Sequence, residues 1–377
     1  MSAPVPILYT IPNFDTAGSG RALLNVVERL DRRRFAPTIC VLRRGGRMEA
    51  EVERLGIPFL EARFTVAPRP LATVPLRARR AARAFAGRFP LWHSFHYLDD
   101  YTEPLVARFA GARAWIYTKK NMSWNRRSWW LRTLLASRVA AQNSDMLRRF
   151  FASSSFRRKS VRIPPGVDGE QFRPGTPRRL GLRERLRTPA DAPVVGCVAQ
   201  LVPIKGHPTL IEAMVHAPGV HLWLAGRELD EGYASALRRQ VAEAGLADRV
   251  AFLGGVDDVP AFLAELDVFA LPTPTGEGCP VALLEAMASG LACVAADVPG
   301  SRDVIENGRS GILVPPRDAA EMGRALQSLA RDAGRRRELG AAGRARALEH
   351  FSIPGEVAAY EAMYSEVLGE TARRSAA

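Results

Sequence analysis

Two glutamates and one lysine have the types and spacing that could do chemistry in this chain of 377 residues. Glu277 stands in a Pro/Gly/Thr-rich loop, Pro272 to Gly278. Glu285 follows eight positions later on a predicted helix, Pro280 to Ser289, with Pro at its first position and Gly290 as its stop. Carboxylates accept hydrogen bonds from hydroxyls, so two of them beside one crevice suit different parts of one ligand, such as a hexose and a ribose. Lys205, in the stretch QLVPIKGH from Gln200 to His207, offers a cation to a diphosphate, and Gly206 lets the backbone turn there. Taken singly, each also reads as an ordinary turn, helix or loop residue, so their weight depends on the elements that carry them.

Asp267 to Leu271 reads as a buried strand ahead of the Glu277 loop, which makes half of a βαβ unit. In an open parallel sheet, ligands bind beyond the carboxyl ends of the strands, where helix N-termini offer free N–H groups to anions. The same alternation recurs along the chain. Strands are predicted at Val5 to Tyr9, Phe35 to Leu42, Ile57 to Phe59, Leu91 to Ser94 and Ala114 to Thr118. A Pro/Gly/Arg-rich linker spans Ile163 to Pro193. Further strands follow at Val194 to Ala199, His221 to Gly226, Arg249 to Leu253, Ala292 to Ala296 and Gly311 to Val314. Helices are predicted between them, among them Arg47 to Leu55, Leu76 to Phe89 and Tyr233 to Ala244. The last run from Ala319 to about His350. This pattern implies doubly wound parallel sheets in two domains, with the boundary near Gly169.

Charge is distributed unevenly. Residues 1 to 175 hold 31 Lys/Arg against 13 Asp/Glu, and the remainder holds 22 against 26. A basic half seeks phosphates, as nucleic acid, anionic lipid or a phosphorylated acceptor. A GC-rich genome, which favours Arg and Ala, is the alternative source of the imbalance. Arg77, Arg79, Arg80, Arg83 and Arg88 lie with Leu76, Phe85 and Phe89 in one predicted helix. Two readings stand for it: an amphipathic helix on a bilayer, or a solvated helix packed on its sheet. In Asn125 to Phe151 the tryptophans Trp129 and Trp130, with Trp124 just ahead, are read first as core packing. The four cysteines are scattered without metal-ligand spacing and are read as reduced thiols. No apolar run reaches membrane-spanning length, and the N-terminal residues lack a signal pattern. The expected location is the cytoplasm, with the inner face of the membrane as an alternative station. No reader motif accompanies the arginines, so nucleic acid is not expected as a partner.

The run Glu277-Gly278-Cys279-Pro280 through Glu285-Ala286-Met287-Ala288, continued by SGLACVAADVPG, resembles the Glu-x7-Glu signature of family 4 glycosyltransferases. Cys279 stands where that signature usually has an aromatic. The likeness extends over nearly the whole chain and is strongest from Val194 to Pro316. It implies the GT-B arrangement, two Rossmann-like domains facing across a cleft: an acceptor-binding domain at 1–169, a nucleotide-sugar-binding domain at 170–351, and a final helical segment, 352–377, crossing back onto the first. The implied activity is metal-independent, retaining transfer of a hexose from a nucleoside-diphosphate sugar to a glycan or lipid-linked acceptor in cell-surface polysaccharide or glycolipid biosynthesis. No cofactor is expected, and no Asp-x-Asp clip for a metal occurs in the sequence.

By the same resemblance, Lys205 with Gly206 meets the diphosphate, Glu277 with the backbone at Gly278 and Cys279 holds the sugar, and Glu285 holds the ribose. The loop at Gly254 borders the base. Gln200 occupies the place of a family arginine, and Arg227 is one cation that could compensate. Near the first helix the family tends to read Gly-Gly-Ala-Glu-Arg. Here Gly18 and Arg21 match, while Ala17 and Gly20 depart. His93 resembles the family's strand-end histidine. Lys119, Lys120 and Asn121 fill the region where many members carry a histidine facing the reacting sugar, and a lysine there favours a phosphorylated acceptor or the developing pyrophosphate. The candidate catalytic set is therefore Glu277, Lys205, His93 and Lys120, with Arg77, Arg79, Arg80, Arg83 and Asn121 assigned to acceptor or membrane. Two competing readings are a sugar-nucleotide epimerase of the same architecture and a non-catalytic nucleotide-sugar-binding scaffold at the membrane.

Overall fold

The computed structural model describes every residue except 1, 2, 16, 47, 99, 125 and 377, and the side chains of 17, 126 and 370–376 also lie outside the description. The chain divides into two units, Met1–Pro165 with Ile353–Ala377 and Gly166–Ser352. The division between Pro165 and Gly166 falls shortly before Gly169.

Unit 1 holds a seven-stranded parallel sheet of order β3-β2-β1-β4-β5-β6-β7. Its strands are β1 (Val5–Thr10), β2 (Phe35–Val41), β3 (Phe59–Glu61), β4 (Leu91–Ser94), β5 (Ala114–Lys119), β6 (Arg138–Ala141) and β7 (Ser160–Arg162). Its central strands are buried on both faces, as near-continuous apolar runs require. Ile7 and Tyr9 of β1 join one core with Ile116 of β5. Leu8, Trp92 and Tyr117 point to the other, the period-2 alternation of a strand. The helix Ile353–Ala376 belongs to this unit and contributes Val357, Tyr360, Met363, Tyr364 and Val367 to the first core.

Unit 2 holds a six-stranded parallel sheet of order β10-β9-β8-β11-β12-β13. Its strands are β8 (Val194–Val198), β9 (His221–Ala225), β10 (Val250–Gly254), β11 (Val268–Leu271), β12 (Ala292–Ala296) and β13 (Ile312–Val314). Four of its helices open on an Asp whose side chain accepts a backbone N–H: Asp230, Asp258, Asp318 and Asp332. Each such cap stabilises by about 1 kcal/mol. They also account for part of the acidic balance of this half.

Several boundaries differ from the sequence reading. The first helix begins at Ala17, so Gly18 and Gly20 lie inside its first turn. The helix predicted from Leu76 to Phe89 is Val74–Ala82, closed by a short 3-10 turn at Arg83–Phe85. It ends early because Phe85 and Phe89 both turn into the core. The helix expected from Arg47 is Glu49–Arg54, and Arg47 itself lies outside the described residues. Pro280 caps the helix Val281–Ala288 instead of opening it, in an extended conformation (ψ 99°).

Candidate active site

Order reverses in unit 2 between β8 and β11, the switch point at which loops diverge and leave a crevice at the carboxyl ends of the strands. Lys205 is carried by the loop after β8 and Glu277 by the loop after β11, so the two strands flanking the switch bring them together. The Lys205 Nζ donates to Glu277 Oε1 at 2.9 Å, and Thr273 Oγ1 donates to the same oxygen at 2.7 Å. Both members of the pair are partly buried.

Glycine makes this meeting possible. At Gly206 (φ 76°) a Cβ would stand 2.4 Å from the Pro272 carbonyl oxygen, so only glycine lets the β8 loop close on the β11 loop. Gly300 (φ 93°) backs the other side, where a Cβ would lie 3.0 Å from the Glu277 carbonyl oxygen. The Glu277 N–H donates to Pro299 O at 3.0 Å. The glutamate is thus fixed at backbone and side chain before any ligand arrives.

Gly278 and Cys279 are buried immediately ahead of the helix Val281–Ala288. That helix is held by buried Leu283, Leu284, Ala286, Met287 and Ala288, while Val281, Ala282 and Glu285 are only partly buried. Positions three and four apart share a helix face, so Glu285 lies on the more open side with 281 and 282. Gln200 is exposed, and Gly254 (φ 67°) has no atom within 4 Å of where a Cβ would stand. His207, directly after Gly206, is buried against Tyr233 (ring centroids 6.2 Å apart), and its pKa is pushed down to about 4 by burial. It stays neutral behind the lysine loop.

Unit 1 reverses order between β1 and β4. Beyond the carboxyl ends of these strands lies a buried polar network that sequence reasoning missed. Glu103 accepts hydrogen bonds from Thr10, from Trp92 Nε1 at 3.0 Å and from Ser94 Oγ at 2.7 Å. His96 Nε2 lies 3.0 Å from Glu103 Oε2, and Arg132 donates to that oxygen at 3.1 Å. Both Glu103 and Arg132 are fully buried. Burial acts to raise the Glu103 carboxyl, but His96, Arg132 and Thr10 together hold it down at about 2. His96 Nδ1 accepts the Leu98 N–H at 3.1 Å, which leaves its proton on Nε2 for Glu103. Arg132 also donates to the Asp100 carbonyl, so the network fixes the loop that follows β4. Glu103 and Arg132 lie on the buried sides of the helices Glu103–Phe109 and Arg126–Leu135, among other charged residues that face outward, and the periodicity of apolar residues does not single them out.

The catalytic assignment of His93 requires correction. Its side chain is wholly buried, Nδ1 is 2.7 Å from Tyr364 Oη, and Nε2 is 2.9 Å from Thr118 Oγ1. Burial pushes its pKa down to about 3. A neutral imidazole with both nitrogens engaged inside the core is a structural hydrogen-bonder.

Lys120 has a partly exposed stem, but its ammonium is buried 3.6 Å from the centroid of Phe95 and has no hydrogen-bond partner among the described residues. Lys119 is tied to Asn121 Oδ1 (2.5 Å) and Ser123 O (2.6 Å), with its ammonium over Trp129. Asn121 therefore serves to hold Lys119. Gly18 faces open space. Arg77 donates to Pro70 O at 3.1 Å, whereas Arg79, Arg80 and Arg83 are exposed. Phe85 and Phe89, expected on the bilayer side of this helix, belong to the core, and the exposed apolar groups are Leu71 and Leu76. Trp129 is buried and Trp130 is half exposed.

These two sheets have the GT-B fold. A glycosyltransferase from Rickettsia africae superposes with a TM-score of 0.85 at 18% identity, covering 97% of this chain and 99% of that one. Anabaena HepE in complex with UDP gives a TM-score of 0.82 at 21% identity, over 96% and 100%. Residues 192–332, within unit 2, match the family model of glycosyl transferases group 1.

Among curated proteins, the chain is 35% identical over 214 residues to the GDP-mannose-dependent alpha-(1-6)-phosphatidylinositol monomannoside mannosyltransferase of Mycobacterium tuberculosis, covering 53% of this chain and 54% of that protein. It is 35% identical over 190 residues to the lipopolysaccharide core biosynthesis glycosyltransferase LpsE of Rhizobium meliloti, covering 49% and 54%. The chain spans about half the length of the curated relatives it matches.

Proposed function

We propose that this protein is a retaining glycosyltransferase that moves a hexose from a nucleoside-diphosphate sugar to a glycan or lipid-linked acceptor. The observation that carries the reading is the Lys205–Glu277 pair at the switch point of unit 2, 2.9 Å apart and held by Gly206 and Gly300. When the donor binds, Lys205 exchanges Glu277 for diphosphate oxygens, and the freed carboxylate accepts hydrogen bonds from the sugar. The N–H groups at the start of the helix Val281–Ala288 face the same negative charge. In the transfer the C1–O bond to the diphosphate breaks and the acceptor oxygen bonds C1 on the same face. The departing phosphate oxygen takes the acceptor's proton. Charge therefore builds on the leaving group, where Lys205 is most useful.

The proposal includes independence from metal and a glycolipid or cell-surface polysaccharide product. The latter is supported by the named activities of the mannosyltransferase and LpsE relatives. GDP-mannose is the first donor to test. The same proposal places the protein at an anionic membrane surface, supported by the exposed Leu71 and Leu76 beside exposed Arg79, Arg80 and Arg83.

The test is donor turnover. Purified protein is incubated with GDP-mannose and with common UDP- and ADP-sugars, with a lipid extract as acceptor, in EDTA. Release of nucleoside diphosphate together with labelled lipid product is expected for one donor. Release of an altered free sugar nucleotide would identify an epimerase instead. Absence of turnover, with unaltered ligand binding in Glu277→Ala, would leave a scaffold.

A further inference from the structure

One face of the unit 1 sheet is covered by five helices: Val74–Ala82, Glu103–Phe109, Arg126–Leu135, Ser144–Arg149 and Ser154–Arg157. Each sends a group into the core that holds Trp92 and Tyr117, in order Ala78, Val106, Trp129, Met146 and Phe156. Their outward sides are open to solvent. Leu76 is 71% exposed, Phe109 44%, Trp130 51% and Leu134 45%, and Leu71, just ahead of the first helix, is 70% exposed. A single exposed leucine needs no explanation, but five large apolar groups on one layer do. The helices of the other face, Ala17–Arg29, Glu49–Arg54 and Ile353–Ala376, add none among the described side chains.

Charge divides the two layers in the same way. Every helix of the first layer carries an exposed arginine: Arg80, Arg108, Arg127, Arg149 and Arg157. Their carboxylates are Glu103, buried against Arg132, and Asp145, paired with Arg148 at 3.0 Å. The other layer mixes signs, with exposed Glu28 and Glu53 next to Arg29 and Arg54. Trp130 and Leu134 stand four apart and so share one face of their helix, with Arg127 one turn before Trp130. The Trp130 ring is 6.4 Å from that of Phe156, which is followed by exposed Arg157 and Arg158, and Lys159 Nζ donates to Leu134 O at 2.8 Å. Two apolar groups are thus ringed by cations. An indole settles at headgroup depth, its ring in apolar surroundings and its N–H in polar ones, while arginines meet lipid phosphates.

We propose that the whole helix layer docks flat on an anionic bilayer, with Trp130 and Leu134 entering the headgroup region as a second contact in addition to Leu71 and Leu76. This rests on the membrane-surface reading of the protein and names the surface that meets the lipid. The helix Glu103–Phe109 packs on Val74–Ala82 and is bound to Arg126–Leu135 through Glu103 and Arg132. Two interhelical spacings put the two contacts about 20 Å apart. The sheet is then held parallel to the membrane and does not pivot on one helix.

The experiment is co-sedimentation of the full chain with vesicles of phosphatidylglycerol and phosphatidylcholine, together with quenching of its tryptophan fluorescence by brominated lipid. Trp130→Ser combined with Leu134→Ser should weaken vesicle binding by about 10- to 100-fold, the size of withdrawing one or two such side chains from apolar surroundings. Trp130→Phe should keep the binding and lose most of the quenching. Both groups are exposed, and thermal melts establish that each variant is folded. Wild-type binding by the double serine variant would overturn the inference, as would undiminished quenching in Trp130→Phe. If Arg79→Glu with Arg80→Glu still releases the protein in either case, the membrane-surface reading survives on the helix Val74–Ala82 alone. If wild type binds no anionic vesicle, the membrane-surface reading itself fails.

Discussion

Burial of the Lys120 ammonium against Phe95 pushes its pKa from 10.5 down to about 7, and Glu356 opposes only part of that shift. Between pH 7 and 10.5 the unfolded chain holds a proton that the folded chain has released. Stability contributed by this site therefore rises with pH across that window, and the full cost of the buried charge is felt below pH 7. Lys120→Met is expected to raise Tm most near pH 6 and least near pH 10, as read by thermal unfolding across that range. Glu103 has the opposite character, since its charge is needed. Glu103→Gln leaves the Arg132 guanidinium buried without its counter-charge, and a loss of about 3–5 kcal/mol is expected in denaturant unfolding. For catalysis, Glu277→Gln keeps the shape of the side chain but releases Lys205. The expected kinetic result is a fall in kcat/KM for the donor of roughly 10²- to 10³-fold, the usual size for one preorganised electrostatic group.

The final helix is fastened to its sheet by a continuous polar chain. Tyr9 Oη lies 2.9 Å from Tyr364 Oη, which is 2.7 Å from His93 Nδ1; His93 Nε2 reaches Thr118 Oγ1 at 2.9 Å, and that hydroxyl reaches Tyr360 Oη at 3.0 Å. Tyr364→Phe leaves two buried groups, on Tyr9 and His93, without a partner, and about 1–3 kcal/mol of stability should be lost in chemical denaturation. Such an arrangement was not legible in the sequence. A buried hydroxyl or imidazole leaves no periodic trace, and these partners come from positions 9 to 364. What could be read were the strands, because runs such as VVGCV and ACVAA are apolar at every position when both faces of a sheet are covered. The meeting of Lys205 with Glu277 was legible only through the resemblance that assigns both to one donor, since the pairing of β8 with β11 is set by strand order, which local patterns do not encode. The end of the arginine-rich helix was misread because Arg and Ala favour helix beyond the point where Phe85 and Phe89 must reach the core.

Charge is a property of the whole molecule: a net +14 is made of a strongly basic first half and a mildly acidic remainder. The protein is expected to co-sediment with vesicles containing phosphatidylglycerol and to stay in solution with phosphatidylcholine alone. Raised salt should release it, since exposed charges are screened over about 10 Å at 0.1 M. Reversing Arg79 and Arg80 to Glu should lower the bound fraction if the helix Val74–Ala82 carries the contact, and sedimentation of that variant reads it directly. The return of the chain from unit 2 to unit 1 has a consequence for biosynthesis. On the ribosome, residues up to Pro165 emerge long before Tyr360 and Tyr364, which complete their core. Unit 2 is made as one uninterrupted stretch and can finish folding while the chain is still being synthesised, but unit 1 must wait with an apolar face uncovered until the last helix is released. A nascent chain stalled before residue 353 would carry a finished unit 2 and an unfinished unit 1. Premature termination should therefore yield a protein whose residues up to Pro165 are cut by proteases while Gly166–Ser352 resists them.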